Sequence, residues 1–159
     1  AVRGLLSEAY RKRDRVGVVS FSGKGAQILL SITGSPELAR KCMDQLPTGG
    51  KTPLAAGILQ ANELLRAERI RTPDALQYLI LISDGKANIP LFGDPFEDAV
   101  FMAEQVRLSG VGAMVLDTEN SYIRFGFAKQ IAEHMNAEYV RLDDISGTAV
   151  EENVRSFIN

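Results

Sequence analysis

The segment Leu79-Ile80-Leu81-Ile82-Ser83-Asp84-Gly85 joins an apolar run directly to a polar turn. An uninterrupted apolar run of this kind is typical of a strand that is buried on both faces of a parallel sheet. Asp84 then lies at the carboxyl end of the strand, where open α/β sheets bind their ligands. The alternative interpretation is an ordinary turn, in which Asp84 is the capping side chain and Gly85 is left-handed.

A glycine loop is the second informative segment, Thr48-Gly49-Gly50-Lys51-Thr52-Pro53-Leu54. Glycines let the backbone approach a ligand closely, and Thr52 brings a hydroxyl group to the start of a predicted helix. Hydroxyl and carboxylate oxygens are the ligands that Mg²⁺ selects, so Thr52 and Asp84 together predict a cation site. Taken alone, a Thr that precedes Pro is also an ordinary helix N-cap.

A phosphate-binding loop is the competing interpretation of Gly50-Lys51-Thr52, and the spacing argues against it. The position that should hold the first glycine of such a loop is Gln45, and the segment before the loop is predicted to be a helix instead of a strand. The sequence also lacks Gly-x-Gly-x-x-Gly. A nucleotide or dinucleotide site is therefore disfavoured.

Strand and helix patterns alternate along the chain. Two β-rich runs, 15–21 and 26–32, are joined by a short glycine connection that permits an antiparallel hairpin. Later strands at 76–82, 113–116 and 139–142 are separated by segments long enough for right-handed helical crossovers. The pattern predicts one α/β domain over residues 1–159, with a doubly wound, mainly parallel sheet and one antiparallel edge strand. Its helices are predicted at 1–13, 36–46, 53–69, 95–108, 125–135 and 148–157.

Composition excludes several classes of function. The net charge of −2, without a basic block, disfavours a nucleic-acid partner. No apolar run reaches the ~18 residues that span a bilayer, which disfavours a membrane partner. The single cysteine, Cys42, cannot form an intrachain disulfide, and this fits a reducing compartment such as the cytoplasm. His134, without a second histidine, gives little support to a zinc site or a catalytic site.

The glycine loop and the strand-end Asp resemble those of a von Willebrand factor A domain. In that family a metal-ion-dependent adhesion site combines Asp-x-Ser-x-Ser, a loop Thr and a strand-end Asp. The chain also resembles, more specifically, the C-terminal integrin-like domain of the magnesium-chelatase D subunit and its relatives. Four segments carry this closer likeness: Gly49-Gly50-Lys51-Thr52-Pro53-Leu54-Ala55-Ala56-Gly57, Leu81-Ile82-Ser83-Asp84-Gly85-Lys86-Ala87-Asn88, Asp117-Thr118-Glu119 and Tyr139-Val140-Arg141-Leu142-Asp143-Asp144.

The resemblance implies a function in binding. Thr52 and Asp84 would help to hold Mg²⁺, and this face would dock a carboxylate of the ATPase subunit of a chelatase complex. Such a complex inserts Mg into protoporphyrin IX in tetrapyrrole and chlorophyll biosynthesis, in the cytoplasm or, in a plant or alga, in the plastid stroma. The domain itself would not be catalytic. The expected partner contacts are Gly49, Gly50, Lys51, Gly85, Lys86, Asp117 and Glu119.

Asp117 and Glu119 follow the next predicted strand, so we expect them at the same edge of the sheet. They would serve there as rim acids or, alternatively, lie in a solvated loop.

The loop at 88–96 also allows two interpretations. Its apolar residues Leu91, Phe92 and Phe96 predict either a docking surface or packing over the sheet edge.

The sequence departs from the family pattern at its start. The family begins with a central strand that ends in Asp-x-Ser-x-Ser, and the first element predicted here is the helix that follows that strand. We therefore expect an N-terminally truncated domain with an incomplete Mg²⁺ site and a gap that a strand from a second copy could fill. Asp144-Ile145-Ser146-Gly147-Thr148 fits the missing motif. The order of the other elements is that of an unpermuted domain, however, so Ser146 or Thr148 is interpreted as the cap of the last helix.

Two other functions remain open from the sequence. The first is a Mg²⁺-dependent phosphoryl-transfer or hydrolytic enzyme of doubly wound fold that uses Asp84, Asp117 and Glu119. The second is a von Willebrand A module of a cobalt chelatase or of another ATPase complex. Turnover of phosphate esters would distinguish the enzyme from either binding module.

Overall fold

A computed structural model describes residues 2–46, 49–142 and 147–158 of the chain. These residues form six helices: α1 (Val2–Arg11), α2 (Pro36–Met43), α3 (Leu54–Arg71), α4 (Pro95–Ser109), α5 (Phe127–Met135) and α6 (Gly147–Ile158). The strands are β1 (Val16–Ser22), β2 (Gly25–Thr33), β3 (Tyr78–Ser83), β4 (Gly112–Asp117) and β5 (Glu138–Arg141). No helix in this described part of the chain has the length and apolar character needed to cross a bilayer.

The described strands form two hydrogen-bonded sheets. β1 and β2 pair antiparallel, and β3, β4 and β5 form a parallel sheet in that order. In the parallel sheet Ser83 lies beside Asp117, and Asp117 lies beside Arg141. The predicted α/β architecture is confirmed, with an antiparallel hairpin and with β5 at the far edge of the parallel sheet.

Helices cover both faces of the parallel sheet. Ala113 and Val115 of β4 are buried against α3, α4 and α5, whereas Met114 and Leu116 point to the other face and pack against α6. A third buried cluster joins α1 and α2 to the hairpin and contains Cys42. This alternation of side chains along a strand that is buried on both sides is what makes the fold doubly wound.

The two sheets are not hydrogen-bonded to each other through any described strand. β1 pairs only with β2, and β3 pairs only with β4. Packing joins them instead, because Phe21 of β1 contacts the buried cluster that includes Ile58 of α3 and Leu81 of β3. Among the described strands, none therefore links the hairpin to the parallel sheet by hydrogen bonds.

We predict that the chain of residues 1–159 associates with itself through the unpaired edges of β1 and β3. A buried backbone group without a partner costs roughly 1–3 kcal/mol, and an open strand edge readily pairs with another chain. Sedimentation equilibrium should show an average mass that rises above the monomer value with concentration. A stable monomer at every concentration would contradict this prediction.

Several predicted element boundaries are wrong, and local backbone conformation explains them. The first helix was expected to reach Arg13, but Arg13 has a φ of 62°, which lies in the left-handed region. The helix expected from Phe125 begins at Phe127, because Gly126 has a φ of 73° and a right-handed helix cannot pass through it. The strand expected from Leu76 begins at Tyr78, and Leu76 is 83% exposed.

Candidate functional site

The loops that follow β3 and β4 leave the parallel sheet side by side. Thr118 N donates a hydrogen bond to Ser83 O at 3.2 Å, which ties the two strand ends together. Asp84 is partly buried at this edge, and its Oδ1 accepts from Lys86 N at 2.9 Å. This hydrogen bond forms the turn, capped by the Asp84 side chain, that the sequence offered as an alternative interpretation. It engages one carboxylate oxygen, and Asp84 Oδ2 has no hydrogen bond within the described residues.

The glycine loop is held against the Asp84 loop by Asn88. Thr52 N donates to Asn88 Oδ1 at 2.7 Å, and Asn88 N donates to Thr52 O at 3.2 Å. This reciprocal pair fixes the backbone of Thr52 beside the loop that carries Asp84. Thr52 and Asp84 therefore lie on adjoining loops, and their role as Mg²⁺ ligands remains a prediction. Sequence reasoning missed this role of Asn88, although an amide side chain in the loop that leaves the strand was the available signal.

The prediction that Thr52 caps helix α3 is wrong. The helix begins at Leu54, its N-cap position is Pro53, and no side chain makes a capping hydrogen bond there. Thr52 lies one residue too early, because its backbone is engaged by Asn88. Its Oγ1 makes no hydrogen bond to any described residue. The hydroxyl is therefore available to a ligand.

The glycines of the site have definite conformational roles. Gly49 and Gly50 have φ values of 75° and 90°, which an L side chain adopts only with strain. Lys51, which follows them, is exposed, and its carbonyl oxygen accepts from Gly23 N at 2.9 Å. The glycine loop is therefore attached to the hairpin turn on one side and to Asn88 on the other.

Gly85 allows the Asp84 loop to pack against the start of α5. It is buried, with a φ of 81°, and a Cβ atom there would lie 2.2 Å from Ala128 N and 2.5 Å from Phe127 C. Ser83 Oγ accepts from Gly85 N at 3.0 Å and fixes the same turn. Gly85, predicted as a partner contact, is in this structure a point of close approach between two backbone segments.

Asp117 and Glu119 lie at the expected edge of the sheet, but the expectation of rim acids or a solvated loop is wrong. Their side chains are only 2% and 4% exposed. Asp117 Oδ1 accepts from Glu119 N at 2.8 Å, and Asp117 Oδ2 accepts from the hydroxyl of Tyr139. Glu119 Oε1 accepts from Phe125 N at 2.6 Å. Both oxygens of Asp117 and one oxygen of Glu119 thus accept hydrogen bonds from their own and neighbouring loops, and the role of the two acids as partner contacts remains a prediction.

The pKa of Tyr139 reflects the burial of its hydroxyl group beside Asp117. Burial, together with the hydrogen bond to Asp117 and the negative charge of that carboxylate, raises the pKa of Tyr139 to about 12. The hydroxyl thus remains protonated at neutral pH and remains a donor to Asp117. Sequence reasoning missed Tyr139, which is separated from Asp117 by an entire helix.

The loop at 88–96 is organised by Asp98, which sequence reasoning also missed. Its Oδ2 accepts from the backbone N of Leu91, Phe92 and Gly93 at 2.7, 2.7 and 3.0 Å. Burial alone would raise the pKa of Asp98, but these hydrogen bonds outweigh it and hold that pKa below its ordinary value. Phe96 packs against Phe127 with ring centroids 5.1 Å apart, so it covers the sheet edge as one interpretation predicted. Phe92 is 67% exposed.

The described residues offer Mg²⁺ the right type of ligand atom but too few ligands. Thr52 Oγ1 and Asp84 Oδ2 are hard oxygen ligands of the kind that Mg²⁺ prefers, and neither has a hydrogen bond to a described residue. Within the described ranges, however, no group of three or more His, Cys, Asp or Glu residues could hold a metal ion. The competing motif at 144–148 falls on Asp144 and Ser146, which lie outside the described residues, as does the side chain of Thr148.

His134 and Cys42, the other two residues considered for chemistry, make contacts that support the fold. His134 Nδ1 lies 3.0 Å from Glu104 Oε1 and links α5 to α4. Cys42 is buried in the cluster beside the hairpin, and this burial raises the pKa of its thiol. A thiol kept protonated is a poor nucleophile.

Comparison with known proteins places this geometry in a family. The profile described as von Willebrand factor type A domain matches residues 1–86. An uncharacterized protein of Methanocaldococcus jannaschii is 33% identical over 147 residues, which cover 92% of this chain and 84% of that protein. The magnesium-chelatase 67 kDa subunit of Heliobacterium mobile is 36% identical over 169 residues, covering 100% of this chain and 25% of the subunit. The magnesium-chelatase 67 kDa subunit of Chlorobaculum parvum is 34% identical over 96% of this chain and 26% of that subunit. The chain thus spans about a quarter of the length of these subunits.

Solved structures agree on the fold. BatB from Bacteroides thetaiotaomicron has a TM-score of 0.68 and 20% sequence identity, over 96% of this chain and 86% of that chain. The SpRpn10 VWA domain has a TM-score of 0.66 and 13% sequence identity, over 98% of this chain and 79% of that chain. The family match, the relatives and the shared fold lead to one conclusion: the chain belongs to the von Willebrand factor type A domain family.

Proposed function

We propose that this domain is a Mg²⁺-dependent docking module of a chelatase complex, which binds a carboxylate of the ATPase subunit at the edge formed by Thr52 and Asp84. The observation that carries the proposal is a pair of oxygens, Thr52 Oγ1 and Asp84 Oδ2, which accept no hydrogen bond from the described residues and lie on two loops that Asn88 holds together. Similarity to magnesium-chelatase subunits along almost the whole chain supports the choice of complex.

The surrounding residues would prepare this edge for an acidic partner. The hydrogen bond from Lys86 N fixes the orientation of the Asp84 carboxylate, and the Asn88 bonds fix Thr52, so both oxygens are presented without further ordering. Lys51 and Lys86 are exposed beside them and would attract a carboxylate. When bound, Mg²⁺ would supply the positive charge that joins Asp84 to the partner's acid.

The phosphoryl-transfer alternative is less well supported by the same geometry. It needs Asp84, Asp117 and Glu119 to face one substrate, but Asp117 and Glu119 are buried and accept hydrogen bonds from Tyr139 and from loop backbone. A cobalt chelatase or another ATPase complex would use the same edge and would differ in the partner.

The experiment mixes the labelled domain with the purified ATPase subunit of magnesium chelatase and measures fluorescence anisotropy in Mg²⁺ and in EDTA. We expect association that requires Mg²⁺, and we expect no turnover of p-nitrophenyl phosphate by the domain. Turnover that Asp84→Ala removes, without association, would support the enzyme and refute the docking module. Association only with the ATPase of a cobalt chelatase would correct the choice of complex.

We predict that residues 1–159 alone bind Mg²⁺ weakly, because two free oxygens cannot replace most of the water around a cation that dehydrates reluctantly. Isothermal titration calorimetry should detect little heat. A version extended at its N-terminus by a strand that ends in Asp-x-Ser-x-Ser, called the extended domain below, should bind Mg²⁺ more tightly. Tight binding by residues 1–159 alone would contradict the prediction and would favour the motif at Asp144.

A further inference from the structure

The loop between β4 and α5 exposes three large apolar side chains. Tyr122 is fully exposed, Ile123 is 67% exposed and Phe125 is 54% exposed. Together with Lys86, we call these residues the aromatic loop surface. Contiguous apolar groups on a surface, rimmed by polar ones, are typical of interaction sites. Because the loop follows Asp117, it lies at the same edge of the sheet as Asp84.

Hydrogen bonds from backbone N–H groups to two buried acids hold this loop in shape. Glu119 Oε1 accepts from Phe125 N at 2.6 Å, and Glu119 N donates to Asp117 Oδ1 at 2.8 Å. Glu119 Oε2 is buried without a hydrogen-bond partner in the described structure. An unsatisfied carboxylate oxygen in a buried place lowers stability. The hydrogen bonds to Asp117 and Glu119 fix the backbone of the loop that carries the exposed apolar side chains.

Ring contacts connect the loop to the Asp84 loop. Phe125 stacks on Phe127 with ring centroids 5.6 Å apart and an interplanar angle of 5°. Lys86 Nζ lies 5.4 Å from the centroid of the Phe125 ring, and Lys86 is only two residues from Asp84 in the sequence. Lys86 therefore connects the aromatic loop surface to the loop that carries Asp84.

The charges around this edge favour an acidic occupant. Lys86 covers one ring of the surface, and Lys129 is exposed in the first turn of α5. Lys51 is exposed on the glycine loop, and the Gly23 N to Lys51 O hydrogen bond brings the hairpin turn with exposed Lys24 beside it. Complementary charge steers a partner and fixes its register, so acids are the matching groups on the other side.

We propose that the aromatic loop surface docks an acidic segment of the partner that also carries apolar side chains, next to the Thr52 and Asp84 site. The identity of the partner as the ATPase subunit rests on the proposed function. The chemistry of the segment rests on the exposed rings, the aliphatic Ile123 and the lysines. Binding buries Tyr122 and Ile123, and Lys86 pairs with an acid.

The first test uses a short fluorescent peptide of Glu, Leu and Phe, together with one version in which Lys replaces Glu and another in which Ser replaces Leu and Phe. The wild-type chain should bind only the acidic apolar peptide. Tyr122→Ser with Ile123→Ser, and separately Lys86→Glu, should each weaken that binding by about tenfold or more. The matched control is Ile70→Ser with Leu76→Ser, which removes side chains that are 81% and 83% exposed near the other end of β3.

Equal binding by the wild-type chain and the aromatic-loop variants, or a preference for the Lys peptide, would overturn the inference. All substituted side chains are exposed, so thermal unfolding should remain unchanged and confirm that each variant is folded. The second test repeats the titration with the purified ATPase subunit in Mg²⁺. If the subunit binds wild-type and aromatic-loop variants equally, the surface is wrong while the proposed function stands. If it binds neither, the proposed function is wrong and the peptide titration decides on the surface.

Discussion

Gly85→Ala is expected to destabilise the domain by about 3 kcal/mol or more. Two separate costs add at this position. The φ of 81° puts an L side chain in the left-handed region, at roughly 1–2 kcal/mol. The new Cβ would also lie 2.2 Å from Ala128 N, and relieving such overpacking costs about 1–3 kcal/mol. Both atoms nearest to the new group belong to backbone, so either the Asp84 loop or the start of α5 must move.

Urea unfolding measures this effect, with Gly110→Ala as its matched control. Gly110 has a φ of 79°, and a Cβ there would meet nothing within 4 Å. The control should therefore lose only the left-handed cost, roughly 1–2 kcal/mol. Equal losses at both positions would show that the Asp84 loop does not pack against α5 as described.

Asp84→Ala is expected to reduce Mg²⁺-dependent binding of the ATPase subunit by about a hundredfold or more. Removing one member of a charge pair at an interface typically costs 2–5 kcal/mol. Asp84 is partly buried and its one hydrogen bond goes to Lys86 N, so folding should lose only about 1 kcal/mol. Anisotropy titration and urea unfolding of the same variant separate the two effects. Normal binding by the folded variant would place the contact elsewhere, for example on the aromatic loop surface.

Substitutions that remove the Thr52 hydroxyl are expected to weaken the same Mg²⁺-dependent binding. Because its hydroxyl does not cap α3, Thr52→Ala should weaken Mg²⁺-dependent binding without the loss of about 0.5–2 kcal/mol that follows removal of a cap. Thr52→Ser keeps a hydroxyl group and should restore most of the binding. A loss of stability of that size in Thr52→Ala would mean that the hydroxyl supports the helix after all.

Local sequence was enough to predict the elements on which the site is built. The apolar run Leu79-Ile80-Leu81-Ile82 could only be a buried strand in this pattern, and its polar end placed Asp84 at the carboxyl edge. The two β-rich runs around Lys24 formed the expected hairpin. These features depend on periodicity and turn residues, which a single sequence displays directly.

The boundary errors are local, whereas the errors at Thr52 and Asp117 concern contacts between distant segments. Thr52 looked like a cap because its neighbours are helical, and the competing bond comes from Asn88 across the site. Asp117 and Glu119 looked exposed because acids usually are, but both are buried, where Tyr139 donates to Asp117 and the backbone of the following loop donates to one carboxylate oxygen of Glu119. Propensity and spacing carry no information about such tertiary hydrogen bonds, so the sequence did not show the surroundings of these side chains.

The most direct measurement of the central claim is the effect of Mg²⁺ on the affinity of the extended domain for the ATPase subunit, compared between wild type and Asp84→Ala. If the cation and the partner meet at Asp84, each must strengthen the binding of the other. Calorimetric titrations in saturating Mg²⁺ and in EDTA should show a strong enhancement by Mg²⁺ in the wild type and none in the variant. The same enhancement in Asp84→Ala, with the variant folded, would contradict the account.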